Sequence, residues 1–411
     1  MGAYVTGMIV AITMFFGVHS TAESIACSPT IVQDKLNSRT PNELRILAAD
    51  FKSEDQIEAV IQLGDRPGEL SETVLLLAKL SVTRKELVRH AAEASLKTIG
   101  APAAKHLKPI LEEESLRSYV VACTAMKAIG PGSKIYLPEI KKLLVDDDAA
   151  KRRCGLFALQ GMGFEGVVLM KEVIGCVLDK DFNNQCSACR VLEKFGTEAY
   201  EAEDALLQLL DEGVSAAQGW AAVCLGAIGP TPSEIDIAEL LGSKLNAERV
   251  LSPIVQERIL LGLAYLGPDA AKVVETVRAK LNGRNKYVRC HAAFALWKIT
   301  GNADESLKAL DELIGNPHFA DDALDVVGRM GTAAIPILDV VTGCLRASEP
   351  GTRELALVAI GNMGPAASAA ESDVMELLND DDALVRMAAK QTLLELEETE
   401  QGSESEPEEK E

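Results

Sequence analysis

Aromatic residues are scarce: Phe, Trp and Tyr together make up 4% of the 411 residues. Most of the 47% hydrophobic content therefore comes from small and aliphatic side chains, chiefly Ala and Leu. That composition suits closely stacked helices better than large enzyme pockets. Basic blocks are missing too. The chain has 41 Lys and Arg against 62 Asp and Glu, a net charge of −21, whereas binding nucleic acid through its phosphates needs a basic stripe. There is no P-loop, no G-x-S-x-G and no H-E-x-x-H, so no local signature of catalysis is present. These absences point to a non-enzymatic chain with no cofactor and no metal, whose partners are proteins rather than nucleic acids.

What is present is a glycine that returns about every 33 residues. The series runs Gly64, Gly100, Gly130, Gly163, Gly196, Gly229, Gly267, Gly301, Gly331, Gly364, with steps between 30 and 38 residues. An Ala/Leu-rich stretch precedes each one, as in 91–100 (AAEASLKTIG) and 221–229 (AAVCLGAIG). A fixed period of this size signals a solenoid, in which each unit buries its apolar face against its neighbours.

The ends differ from the repeats. Tyr4–Val18 is almost wholly apolar and too short to span a bilayer comfortably, and Ser20-Thr21-Ala22 offers small residues for cleavage before Glu23. Residues 1–22 are therefore expected to be a signal peptide and 23–39 a linker. The protein would be exported to the periplasm or extracellular space, and membrane-anchored only if the signal stays attached. Two overlapping patterns remain alternatives: a lipoprotein-like Ser24-Ile25-Ala26-Cys27, and Met1-Gly2 with Thr6 as a myristoylation match. The solenoid is expected over 40–396. Residues 397–411 read as a disordered acidic tail, since 395–411 hold nine Glu and one Lys. Six cysteines (Cys123, Cys154, Cys186, Cys189, Cys224, Cys290) lie in helices that precede ladder glycines. There they stand where other repeats carry Ala, Val or Leu, so they read as small buried hydrophobes. The Cys186–Cys189 pair lacks the second half of a zinc set.

Each period resolves into two helices. In 83–111, Thr83 and Glu86 form a potential capping box. Val88, Ala91, Ala92, Ala94, Leu96 and Ile99 are expected to share one face. Gly100 supplies a left-handed cap and Pro102 stops the helix. A second helix then runs through Ala104 to Leu111, with Pro109 near its middle. Residues 87–114 (LVRHAAEASLKTIGAPAAKHLKPILEEE), 287–301 (YVRCHAAFALWKITG) and 384–396 (LVRMAAKQTLLEL) resemble the HEAT repeat, specifically the short HEAT-like kind first recognised in phycobilisome lyases, with its pattern VRxxAAxALxxIG. The resemblance implies an all-α fold, an α-α superhelix of about ten helical hairpins. It also implies that the Val-Arg arginine pairs with turn aspartates in a ladder along the solenoid. Arg89, Arg152, Arg289, Arg353 and Arg386 stand at or beside that position, and Tyr119, Gln185, Gln218, Gln256 and Ala320 replace it elsewhere. The acidic turns Asp146–Asp148 and Asp380–Asp382 are expected to cap helices and pair with arginine rather than hold calcium, because no EF-hand loop follows.

Some HEAT-like proteins are enzymes. Di-iron hydroxylases of this fold carry His-Glu dyads, yet none of the five histidines here precedes Glu. The leading expectation is a scaffold for protein–protein interactions. The alternative is an accessory or lyase-like HEAT protein that holds a prosthetic group or a partner enzyme subunit. The column aligned with Lys97, three residues before most ladder glycines and four before Gly301, is expected to face away from the core, which nominates Lys97, Lys127 and Trp297 for partner binding. Trp297 is either an exposed anchor or a filler between its neighbours. The 38-residue step from Gly229 to Gly267 coincides with the gap in the arginine ladder, and a function particular to this solenoid is expected there.

Overall fold

A computed structural model of the protein describes residues 36, 38–53, 55–233, 235–246, 251–316 and 318–397. The expected signal peptide (1–22), nearly all of the linker (23–39) and all but the first residue of the acidic tail (397–411) lie outside the described residues. Among the described residues every regular element is an α- or 3₁₀-helix, as the all-α expectation requires. The chain forms two compact units, one ending at Leu266 and the other beginning at Gly267.

In the first unit, helices of one kind return with the glycine ladder: α1 (Gln56–Asp65), α2 (Glu86–Ile99), α3 (Leu116–Ile129), α4 (Ala149–Met162), α5 (Phe182–Phe195), α6 (Ser215–Ile228) and α7 (Pro253–Leu266). The second unit continues with α8 (Lys286–Thr300), α9 (Ala320–Met330), α10 (Pro350–Met363) and α11 (Ala383–Glu397). Between them lie shorter α- and 3₁₀-segments, so each repeat is a helical hairpin. From α2 to α7 every ladder helix is 14 residues long, about 21 Å at 1.5 Å per residue. Their alanines and leucines, such as Ala91, Ala92 and Leu96 or Ala221, Ala222 and Leu225, are buried. Small side chains let neighbouring helices approach closely, and leucines fill the space behind them.

The ladder glycines do more than make an ordinary left-handed cap. All except Gly64 have φ between 53° and 77°. Seven of them (Gly100, Gly130, Gly163, Gly196, Gly229, Gly331 and Gly364) combine this with ψ between −130° and −159°. That region is open to glycine almost alone. Gly301, with φ 70° and ψ −4°, is the αL cap anticipated for the series, and its helix runs one residue longer.

Three local expectations fail. Gly64 lies inside α1 with no positive φ, and a Cβ there would sit 3.0 Å from the Ser95 Cα; its role is close packing against α2. Thr83 does not cap α2, whose N-cap is Lys85 without a side-chain hydrogen bond. The helix drawn through Pro109 is two separate turns, Ala101–Ala104 and Lys108–Leu111. Pro109 stands in the first turn of the second, where its missing N–H costs nothing.

Candidate partner-binding face

The arginines differ in what they hold. Arg152 makes a two-pronged ion pair with Asp179 of the next turn (2.6 and 2.8 Å) and donates to the carbonyls of Asp146 and Asp147 (2.7 and 2.9 Å). Arg353 repeats this with Asp380 (2.8 and 2.7 Å) and the carbonyls of Ala347 and Ser348. Arg386 reaches the Asp380 and Asp381 carbonyls, and Arg289 the Leu281 carbonyl and Glu312. Arg89 meets only local groups, Glu86 and His90, because its turn offers no aspartate. At three of the five positions where the ladder lacks arginine, glutamine does the carbonyl work. Gln185, Gln218 and Gln256 donate to the carbonyls of Asp179, Asp211 and Leu251 at 2.8, 3.2 and 2.9 Å. The middle of the chain thus loses the charge of the ladder but keeps its turn geometry. In the acidic turns, Asp148 caps α4 and Asp382 accepts from the Leu384 N–H. Among the described residues no three potential metal ligands converge.

The nominated column does not face solvent throughout. Lys97 is exposed and Lys127 is half-buried over the Phe157 ring, 4.2 Å from its centroid. From Gly226 onward the column turns into the seam between helices: Gly226, Ala264, Gly328 and Gly361 are buried. A Cβ on Gly226 would lie 2.1 Å from the Gly262 carbonyl oxygen, and one on Gly262 would lie 2.3 Å from that of Ala222. Smallness here marks backbone contact, not a bare surface. Trp297 is half-buried, packs on Phe294 (centroids 5.8 Å apart) and carries the Lys298 ammonium 4.8 Å from its ring. It therefore packs against its own helix while part of its surface stays open.

The Tyr265 hydroxyl on α7 donates to Glu193 Oε1 on α5 at 2.9 Å, and 47% of Tyr265 stays exposed. Deeper on this face Trp220, 5% exposed, lies between two guanidinium groups, Arg258 at 3.8 Å and Arg190 at 4.8 Å from its ring centroid. Gly219 makes this stacking possible, since a Cβ there would strike Arg258 Cδ at 2.4 Å. Burial, then repulsion from Arg190, holds the Arg258 guanidinium down to about 10. Burial also lowers Arg190, against the pull of Glu193 and Cys186. Lys127 is lowered by burial, opposed by Glu93 and reinforced by Arg190 and Lys194.

Arg190 thus lies within electrostatic reach of Lys127 and of Arg258, and Lys194 within reach of Lys127, on the ladder face of α3 to α7. Such a surface can bind and orient an anionic or hydrogen-bonding group. Its nearest nucleophile, Cys186, is pushed up to about 11 by burial and is protonated at neutral pH. All eight described cysteines are unbridged; six are buried, and Cys186 and Cys344 are half-buried. A separate cleft of about 700 Å³ lies beside the short helices 137–144 and 170–177, but the Lys141–Glu172 and Arg152–Asp179 pairs already close two of its charges.

No motif links Arg190, Trp220 and Arg258, which come from three different repeats. The usable signal was register: Trp220 and Arg258 each stand nine residues before their glycine, where other repeats carry Ala91, Val121 or Cys154.

No family model matches the chain, and no curated protein matches it. Solved structures similar to it include Kap121p, at 12% identity over 91% of this chain and 48% of that one, with a TM-score of 0.39. The karyopherin Kap121p bound to the extreme C-terminus of the protein phosphatase Cdc14p is similar at 12% identity over 86% and 45%, TM-score 0.42. Human deoxyhypusine hydroxylase in complex with glycerol is similar at 22% identity over 64% and 96%, TM-score 0.29. The chain spans about half the length of the Kap121p chains it matches.

Proposed function

We propose that the protein is a non-enzymatic HEAT-like scaffold, of the short phycobilisome-lyase type of repeat, that binds protein partners through the ladder face of its first unit. One observation carries the reading: the Arg190–Trp220–Arg258 stack with Tyr265 beside it, of which Arg258 and Tyr265 lie in the long step between Gly229 and Gly267. Here the ladder helices hold one buried and one half-buried guanidinium against Trp220, with the Tyr265 phenol bridging to Glu193. Rigid aromatic and arginine side chains are the usual anchors of protein interfaces. The N-terminal apolar run supports an exported or envelope setting, with any membrane association through that segment alone; nucleic acid is not a partner in this reading.

Capture from envelope extract with the full chain tests it. Arg190→Glu combined with Tyr265→Ala is expected to lose the partner that the native chain retains, while Lys108→Ala, at an exposed position, keeps it. Identical capture by all three proteins would remove the face from consideration.

A further inference from the structure

The cleft beside the short helices Leu137–Leu144 and Met170–Val177 lies between two consecutive turns of the first unit and encloses about 700 Å³. Small-molecule sites span about 300–1,000 Å³. Val145 and Leu178 line it from the same register of the two turns, 65% and 45% exposed. Lys141 and Arg152 in its lining are paired with Glu172 and Asp179. Two further lining cations, Lys171 and Lys180, are exposed and have no ion-pair partner among the described residues, which leaves them against the single carboxylate of Asp147. The neighbouring repeats carry Pro138 and Asp204 at the register of Lys171, and Asp147 and Gly213 at that of Lys180. Both charges therefore belong to this repeat and not to the repeat pattern. Gly175, also in the lining, departs in the same way. It stands inside a helix, where glycine costs about 1 kcal/mol relative to alanine, at the register of Lys142 and Gln208. A Cβ there would meet nothing within 4 Å, so packing does not require the glycine; its missing side chain leaves room in the cleft.

We infer that this cleft binds a free amphipathic carboxylate, an apolar chain ending in an acid group, with the chain along Val145 and Leu178 and the carboxylate at Lys171 and Lys180. The site is independent of the scaffold reading, since no residue of the Arg190–Trp220–Arg258 stack lines it. Charge selects an anion: two ammonium groups face one carboxylate on a chain that carries −21 overall, and an ion pair strengthens where apolar surface displaces water. The exposed aliphatic side chains select an apolar body, because covering them releases about 25 cal/mol per Å². An extended peptide fits less well. The walls are helices and turns that present no strand edge to a peptide backbone. The cleft binds without reacting. Cys176, the thiol in its lining, is buried, donates to the Leu144 carbonyl at 3.6 Å and is pushed up to about 11 by burial, so it is protonated at neutral pH.

The test uses the full chain and dansyl-undecanoic acid, whose emission rises and moves to the blue in an apolar site. Saturable binding is expected, with displacement by decanoate. Affinity should fall roughly tenfold in Lys171→Gln/Lys180→Gln, which removes both charge-assisted contacts. It should stay unchanged in Lys105→Gln/Lys108→Gln, which takes the same charge from exposed positions elsewhere. Gly175→Leu should fill the cleft and weaken binding by a similar factor while melting no lower than the native chain, because its side chain enters open space. No saturable binding by the native chain, equal losses in the two double variants, full affinity in Gly175→Leu, or equal binding of the corresponding dansylated alkylamine would overturn the inference. So would stronger displacement by a (Glu-Ser)₅ peptide than by decanoate. Sedimentation with phosphatidylglycerol vesicles that Lys171→Gln/Lys180→Gln abolishes and decanoate does not reverse would assign the cleft to a membrane surface and overturn it too. Partner capture through Arg190 and Tyr265 is read separately, so either result can fail without the other.

Discussion

A methyl group added at Gly226 would strike one of the most tightly packed points of the face. The new Cβ would lie 2.1 Å from the Gly262 oxygen and 2.5 Å from its carbonyl carbon and Cα, where 3.4–4 Å is ordinary contact. Both partners are backbone, so no rotamer change relieves the clash, and α6 and α7 must part by about 1 Å. A gap of that size forfeits a quarter to a half of the dispersion energy along the seam, and overpacking of this kind costs about 1–3 kcal/mol or more. The intrinsic helical gain of Gly→Ala, up to about 1 kcal/mol, offsets part of it. The net expectation for Gly226→Ala is a loss of about 2 kcal/mol, which is roughly 4–8 °C in melting temperature for a body of this size. The assay is thermal unfolding followed by Trp220 fluorescence in a Trp297→Phe background, which isolates the first unit. Gly175→Ala is the counterpart: it has nothing within 4 Å and should be neutral or stabilised by up to about 1 kcal/mol. A Gly226→Ala protein that melts at or above the parent would refute the close-approach argument.

Arg152→Ala should cost about 2–4 kcal/mol by chemical denaturation, because it strands the buried Asp179 carboxylate, whereas Arg89→Ala should cost under about 0.5 kcal/mol. Burial raises the Asp179 carboxyl, but hydrogen bonds from Arg152, the Asp181 N–H and Asn184 outweigh it and hold the group below its ordinary 3.8. The stabilisation is therefore full above pH about 5 and disappears as pH falls through the lowered value, so the Arg152→Ala deficit should shrink in acid. Asp325 behaves oppositely. Burial outweighs the pull of Arg329 and holds its carboxyl above 3.8, so its ionisation at neutral pH works against the fold. Asp325→Asn should stabilise the second unit at pH 7, and the gain should vanish near pH 4 in paired unfolding curves. Cys154, Cys176 and Cys186, held near 11 by burial, should alkylate at pH 8 on the order of a hundredfold more slowly than in the denatured chain. Comparable rates in the two states would contradict their burial.

The repeat was legible because a backbone angle that only glycine tolerates leaves its mark in the sequence at fixed intervals. Gly64 shows the limit of that signal: a glycine kept for packing against Ser95 looks the same as one kept for its φ. The column through Gly226 and Gly328 misled for a related reason, since a missing side chain reads equally as open surface or as helix contact. The glutamines at 185, 218 and 256 read as breaks in an arginine ladder because they lack its charge, although they keep its hydrogen-bonding reach. Lys127 was legible as a surface cation, but its neighbours Arg190 and Arg258 were not. They come together only after three helices stack, and no local spacing encodes that. Of the cluster, Arg258 and Tyr265 lie in the long step between Gly229 and Gly267, whereas Arg190 and Trp220 lie in regular 33-residue steps before it.

The central claim is that the ladder face around Tyr265 is where the protein meets its partner. Replacing Tyr265 with a photo-crosslinking phenylalanine in the full chain, expressed in the native host, tests it directly. Ile135, 52% exposed on a 3₁₀ segment beside the ladder, serves as the comparison site. The account predicts a discrete protein adduct from position 265 and none from position 135. Adducts of equal yield at both positions, or adducts at 135 alone, would contradict it.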